Sequence, residues 1–269
     1  NIPGLHPLVA ILLGLLLGVI VGVLLPSLAI AMLRLHEGYN LYNVGFSCGF
    51  LGIFIASLFT AVGMELSIQV EWNTTFSLIL TAIIPVVSLT LIIVGISLDG
   101  IKKSIAGLRA IQKLSGRLPA DFTDLVSPGA ALLNAGLLGL AGSIYVMSIG
   151  AVFSGPVIGA LFTIIGFGTF GKHLKNVWPV VLGVLTATLI SGKSPTAPGP
   201  LLALLFGTSL APIAGEFGIV PGLLAGILHL VLVERTVIWH GGLVLYNNGF
   251  SGGLVATFIF AVSEWIKAN

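Results

Sequence analysis

Apolar stretches long enough to cross a lipid bilayer follow one another along this chain, and they limit every fold open to it. Hydrophobic residues fill 57% of the 269 positions and charged residues 7%, where a soluble domain carries about 25% charged residues. So few charges cannot cover a water-exposed surface, but they can cover the two rims of a membrane protein. A helix crossing the hydrocarbon needs roughly 20 apolar residues. The sequence predicts spans over 6–25, 41–63, 76–98, 129–150, 153–170, 177–190, 200–214, 217–233 and 250–266. Pro26 is expected to end the first of these and leave 27–35 as a short apolar piece.

The charges that remain set sidedness and exclude partners. Residues 99–128 form the longest polar stretch and hold Lys102, Lys103, Arg109, Lys113 and Arg117. A short loop rich in Lys and Arg stays in the cytoplasm. This one divides the chain into 1–98, 99–128 and 129–269, and an amphipathic interfacial helix is expected over 101–114. The connection 64–75 carries Glu65 and Glu71 without a basic residue, as an outside loop would. The expected location is the cell (plasma or inner) membrane, multi-pass, with the bilayer as first partner. A net charge of +2 speaks against nucleic acid. One cysteine, Cys48, allows no internal disulfide, and the five histidines lack metal-ligand spacing. No cofactor is implied. Gly166-Phe-Gly168-Thr-Phe-Gly171 is a lone Gly-x-Gly-x-x-Gly outside any strand–helix pattern, so it is not a dinucleotide site. Lys172 and His173 after it read as interfacial anchors.

The strongest signal is internal. His36-Glu-Gly-Tyr-Asn-Leu-Tyr42-Asn43-Val-Gly45-Phe46-Ser47-Cys48-Gly49 returns 204 residues later as His240-Gly-Gly-Leu-Val-Leu-Tyr246-Asn247-Asn-Gly249-Phe250-Ser251-Gly-Gly253. Ile2-Pro3-Gly4-Leu5 is echoed by Val220-Pro221-Gly222-Leu223 at a slightly different offset. The chain thus contains a duplication. The stretch from Phe76 to Gly215 has no counterpart before Asn1, so a complete two-repeat protein is expected to extend upstream. An odd number of spans between the copies turns the second upside down. Inverted repeats place a solute path at their interface. The fold expected is therefore all-α: a polytopic transmembrane helical bundle with inverted structural repeats and half-length, broken or re-entrant, helices.

Each motif is expected to follow a half-length piece and open a full helix. Interrupted backbone survives in lipid only where protein buries it or a cavity is lined by it. The helix starts near Asn43 and Asn247 would aim free N–H groups inward. Tyr42, Asn43, Ser47, Tyr246, Asn247 and Ser251 offer hydrogen-bonding groups without charge, which suits a neutral polar solute. Phe46, Phe250, Phe162, Phe167 and Phe170 could narrow the path, with core packing as the default. Helix capping and packing without substrate contact are the alternative reading of the same residues. Glu37, His229 and Glu234 are candidates for coupling or gating, since ionisable groups within spans are costly; Glu216 and Arg34 stand near them. Gly45-Phe-Ser47-Cys-Gly49 and Gly249-Phe-Ser251-Gly-Gly253 also fit Gly-x-Ser-x-Gly. That nucleophile elbow needs a strand–turn–helix context, absent from this sequence.

The Leu-Tyr42-Asn43-x-Gly45 and Leu-Tyr246-Asn247-x-Gly249 segments resemble the helix-opening stretch of urea channels. Ser154-Gly155-Pro156-Val-Ile-Gly159-Ala-Leu161 is similar to that family's Asn-Pro signature, with Gly155 where the family has Asn. The resemblance implies an inverted repeat, a narrow slot walled by half-helices with Pro156 at its side, passive flux and homo-oligomers, as trimers. The chain also resembles a family of uncharacterised bacterial membrane proteins built from two tandem repeats, a domain of unknown function. The expected function is a channel or transporter for a small, neutral, urea-like solute, and not an enzyme. An ion- or proton-coupled transporter, an intramembrane serine hydrolase using Ser47 or Ser251 beside a histidine, and a membrane scaffold are the alternatives.

Overall fold

A computed structural model of the chain describes residues 6–64, 66, 72–73, 75 and 78–269. Every regular element among them is helical: α1 (Pro7–His36), α2 (Asn43–Ala61), α3 (Leu78–Asp99), α4 (Ile101–Ile111), α5 (Phe122–Leu125), α6 (Pro128–Ser148), α7 (Gly155–Phe167), α8 (Leu174–Ile190), α9 (Pro198–Gly207), α10 (Ala211–Phe217), α11 (Ile219–Trp239) and α12 (Asn247–Ala268). A single 3-10 turn, Thr208–Leu210, joins α9 to α10. Among the described residues, seven helical segments are long and apolar enough to cross a membrane, with α9 and α10 counted as one. Such a chain is a multi-pass membrane protein. The Ile2–Leu5 echo, Glu65, Glu71 and Phe76 lie outside the described residues.

Two sequence expectations change here. Pro26 does not end α1, which runs through it to His36. A proline removes one backbone hydrogen bond, and membrane helices tolerate the loss. Of α1 only His36 is buried, and leucines project on every side, as a lipid-facing helix requires. The half-length pieces expected before each motif are also absent, because α1 and α11 continue to His36 and Trp239. The motifs are instead turns between full helices. The break lies elsewhere, at Thr208–Leu210, where Pro212 opens α10 without an N–H to give. The Thr208 hydroxyl there donates to the Leu205 carbonyl at 2.7 Å.

Where helices cross, glycine lets backbones touch. A methyl group on Gly226 would lie 3.0 Å from the Gly183 Cα, which fixes α8 on α11. On α6, one at Gly136 would lie 2.5 Å from the Ser88 carbonyl of α3. Without a hydrophobic drive between helices in lipid, such close packing holds them. The amphipathic helix expected near 101–114 is present as α4. Its Ser104 donates to the Gly95 carbonyl at 3.3 Å, while Asp99 accepts from Ser127 at 2.5 Å, so the polar segment folds back onto the start of α6.

Candidate functional site

The two motifs build the same turn twice. His36 closes α1, and its Nδ1 accepts from the Asn40 N–H at 3.3 Å. The ring proton therefore sits on Nε2, which donates to the Asn43 side-chain oxygen at 3.0 Å. Asn43 Nδ2 donates back to the Ala29 carbonyl of α1 at 2.8 Å. In the second copy His240 Nδ1 accepts from the Val244 N–H at 3.3 Å, its Nε2 donates to Asn247 at 3.0 Å, and Asn247 donates to the Val233 carbonyl at 2.7 Å. Each asparagine thus ties the start of one helix to the preceding one. The matched His and Asn spacing of the sequence is the spelling of this brace.

The turns meet. A methyl on Gly45 would stand 3.0 Å from the Gly249 Cα, and one on Gly249 would stand 2.9 Å from the Gly45 Cα. Phe46 fills the space over Gly253, and Phe250 the space over Gly49. The two rings stack at 6.2 Å and are fully buried. Beyond this contact α2 passes Val244 and His240 with Gly52, while α12 passes Asn40 with Gly252 and Tyr39 with Phe260. Each helix runs alongside the turn that precedes the other.

Beside this junction lies a cavity of about 560 Å³, lined by Tyr42, Asn43, Tyr246, Asn248 and Thr163 among apolar walls that include Phe167, Phe170 and Phe206. No charged side chain lines it. Neither α2 nor α12 has a side-chain cap, and the residues opening both helices line the cavity. Leu118 closes part of its rim. The segment before α5 is held there by Arg117, whose guanidinium donates to Glu37 at 2.9 Å and lies 4.7 Å from the centre of the Tyr39 ring. Gly38 gives its carbonyl to the Leu118 N–H at 3.1 Å.

Behind the wall sits Lys172, fully buried in the turn between α7 and α8. Its Nζ donates to the Tyr42 hydroxyl at 2.6 Å and to the Thr208 hydroxyl at 2.8 Å, and faces the rings of Tyr42 and Phe167. None of the ion pairs among the described residues includes it. The turn is held by Asn134 of α6, which donates to the carbonyls of Gly168 (2.7 Å) and Lys172 (2.8 Å). Expected as an interfacial anchor, Lys172 is an interior residue, because Asn134 pulls its backbone inward. Asn134 was passed over in the sequence. The available cue was a lone Asn in the apolar run Leu-Leu-Asn134-Ala-Gly.

The other expected site residues divide. Tyr42, Asn43 and Tyr246 line the cavity; Asn247 does not, its neighbour Asn248 taking that place. Ser47 donates to the Asn43 carbonyl at 3.0 Å and meets no histidine. Ser251 meets His229: its hydroxyl lies 2.9 Å from Nδ1, and Nε2 lies 3.1 Å from the Asn248 side-chain oxygen. Ser251 and His229 are fully buried and absent from the cavity lining. Phe46 and Phe250 are packing residues of the crossing. Pro156 is exposed in the first turn of α7, off the cavity. Glu37 holds Arg117, Glu234 holds Lys193 across from α11, and Glu216 is exposed. Among the described residues no cluster of His, Cys, Asp or Glu could hold a metal.

The architecture is that of a multi-pass helical membrane protein with an uncharged cavity where two like turns meet. The chain belongs to the DUF1576 family, described as proteins of unknown function, whose model matches residues 2–61 and 100–265. Both turns and every residue lining the cavity fall within the match, while α3 falls outside it. No curated protein and no solved structure matched.

Proposed function

We propose that this protein carries a small organic solute across the membrane, through the cavity at the junction of α2 and α12. The observation that carries the reading is the cavity itself: it is of ligand size, and its polar lining is made of amide and hydroxyl groups from both motifs. Mostly apolar walls with a few placed polar groups are what solute sites have in common. The reciprocal contacts of the two turns support an inverted repeat, the architecture that places such a path at its interface. The cytoplasmic side of residues 99–128 and a homo-oligomeric, trimeric assembly belong to the same reading. A urea-like neutral solute fits a lining without charge.

The Ser251–His229–Asn248 chain favours a second reading, an intramembrane hydrolase, because a hydroxyl lies on an imidazole nitrogen. Its seclusion from the cavity makes it the weaker of the two.

Stopped-flow light scattering of proteoliposomes with urea, glycerol and lactate tests the first reading. Faster solute entry than in protein-free liposomes is expected for at least one solute. Thr163→Trp, which fills the cavity, is expected to return the rate to the protein-free value with the melting temperature kept. Protein-free rates for every solute, with folded wild-type protein in the liposomes, would remove it.

A further inference from the structure

Among the buried polar groups, Lys172 stands apart: its Nζ has hydroxyls and aromatic faces for company and no carboxylate in ion-pairing reach among the described residues. Buried charges are ordinarily paired. The other titratable groups near it do not supply the missing charge. Tyr42 is its hydrogen-bond partner. His173, next in the chain, turns its Nε2 to the Leu114 carbonyl at 2.8 Å. His229 lies beyond Gly207, engaged with Asn248 and Ser251. Glu37, on the turn that leads to Tyr42, is held by Arg117. From the cavity, Lys172 is one side chain away, behind Tyr42 and Phe167.

We infer that the cavity takes a small organic monoanion with an apolar body, bound together with a proton that resides on Lys172. The inference rests on the transport reading above and replaces its neutral solute with an anion. The proton converts the Lys172 amine to ammonium, the anion supplies the missing negative charge, and the pair leaves as it came, so that no net charge crosses. The apolar walls hold the body of the anion. The starts of α2 and α12, which carry no side-chain cap, border the same cavity. Linkage makes the coupling reciprocal: the anion raises the proton affinity of Lys172 by the factor by which the proton raises that of the anion.

Calorimetry of the full chain in detergent, titrated with benzoate and with lactate in two buffers of different ionisation enthalpy, reads the protons taken up. Uptake approaching about one proton per bound anion is expected for at least one of the two, with affinity falling about tenfold per pH unit once the free lysine is neutral. Lys172→Arg keeps a charge that does not titrate, so the anion should bind with uptake abolished. Lys172→Met should lose at least about tenfold in affinity, the scale of one charged partner. Binding without proton uptake in the wild type overturns the inference and needs no variant to fold. So does Lys172→Met protein with wild-type affinity and uptake. If neither acid binds while urea or glycerol crosses in the light-scattering assay, the inference falls and the path stands.

Discussion

A single asparagine in each motif holds a helix start in place, and its removal should be felt as lost stability before lost transport. Asn43 and Asn247 each leave a histidine Nε2–H and a preceding-helix carbonyl without a partner when shortened. Asn43→Ala and Asn247→Ala should each lower stability by about 1–3 kcal/mol, the cost of stranding a buried polar group. Thermal unfolding in detergent measures it, and a change below about 0.5 kcal/mol would mean the brace is idle. These residues were legible in the sequence because the duplication spelled them twice. Lys172 was not. Its partners Tyr42 and Thr208 are 130 and 36 residues away, and nothing local tells an inward lysine from an anchor at a membrane rim. The Ser251–His229 pair was hidden for the same reason, since helix packing alone brings 229 to 251.

Among helices, glycine decides which faces may touch. Gly49→Ala puts a methyl into the buried Phe250 ring, and Gly45→Ala one within 3.0 Å of the Gly249 Cα. Each should cost about 1–3 kcal/mol as overpacking. Gly14 of α1 faces open space, so Gly14→Ala should change stability by less than about 0.5 kcal/mol; a larger loss would show α1 to be covered in an oligomer. The cap of α8 carries a pH dependence. His173 accepts from the Asn176 N–H, and burial pushes its imidazole down to about 4. A histidine held below its usual 6.5 helps the fold only when neutral. Its contribution is complete above about pH 6.5 and is lost as pH falls towards about 4. At about pH 5 the wild type should have lost about 2 kcal/mol through this group. His173→Asn, which can still cap the helix, should flatten that part of the melting curve. Most spans were legible because apolar length signals them directly. The fate of Pro26 and the break at Thr208–Leu210 were not, since whether a proline ends a helix depends on what surrounds it. Sequence therefore placed the half-length pieces beside the motifs, whereas the interruption lies between α9 and α10.

For the molecule as a whole, the junction implies a topology. Under the inverted repeat proposed above, single cysteines at Gly63 and at Asn269, in a Cys48→Ser background, should react with an impermeant maleimide from opposite faces of the membrane. Labelling of both from one face would contradict the inverted arrangement. A cysteine at Lys103 should react from the cytoplasmic face, following the positive residues of 99–128. The duplication was enough to suggest where a solute path would lie. The whole cavity was not legible, because Thr163, Phe206 and Leu118 reach it from segments that share no motif. The most direct measurement is the accessibility of a cysteine at Thr163 in the same background. Reaction with a small impermeant thiol reagent from one face or the other is expected, and bound solute should slow it. A Thr163 cysteine that stays unreactive from both faces, while the Lys103 cysteine in a parallel sample reacts, would show that the cavity is closed to water and would contradict a solute path at the junction.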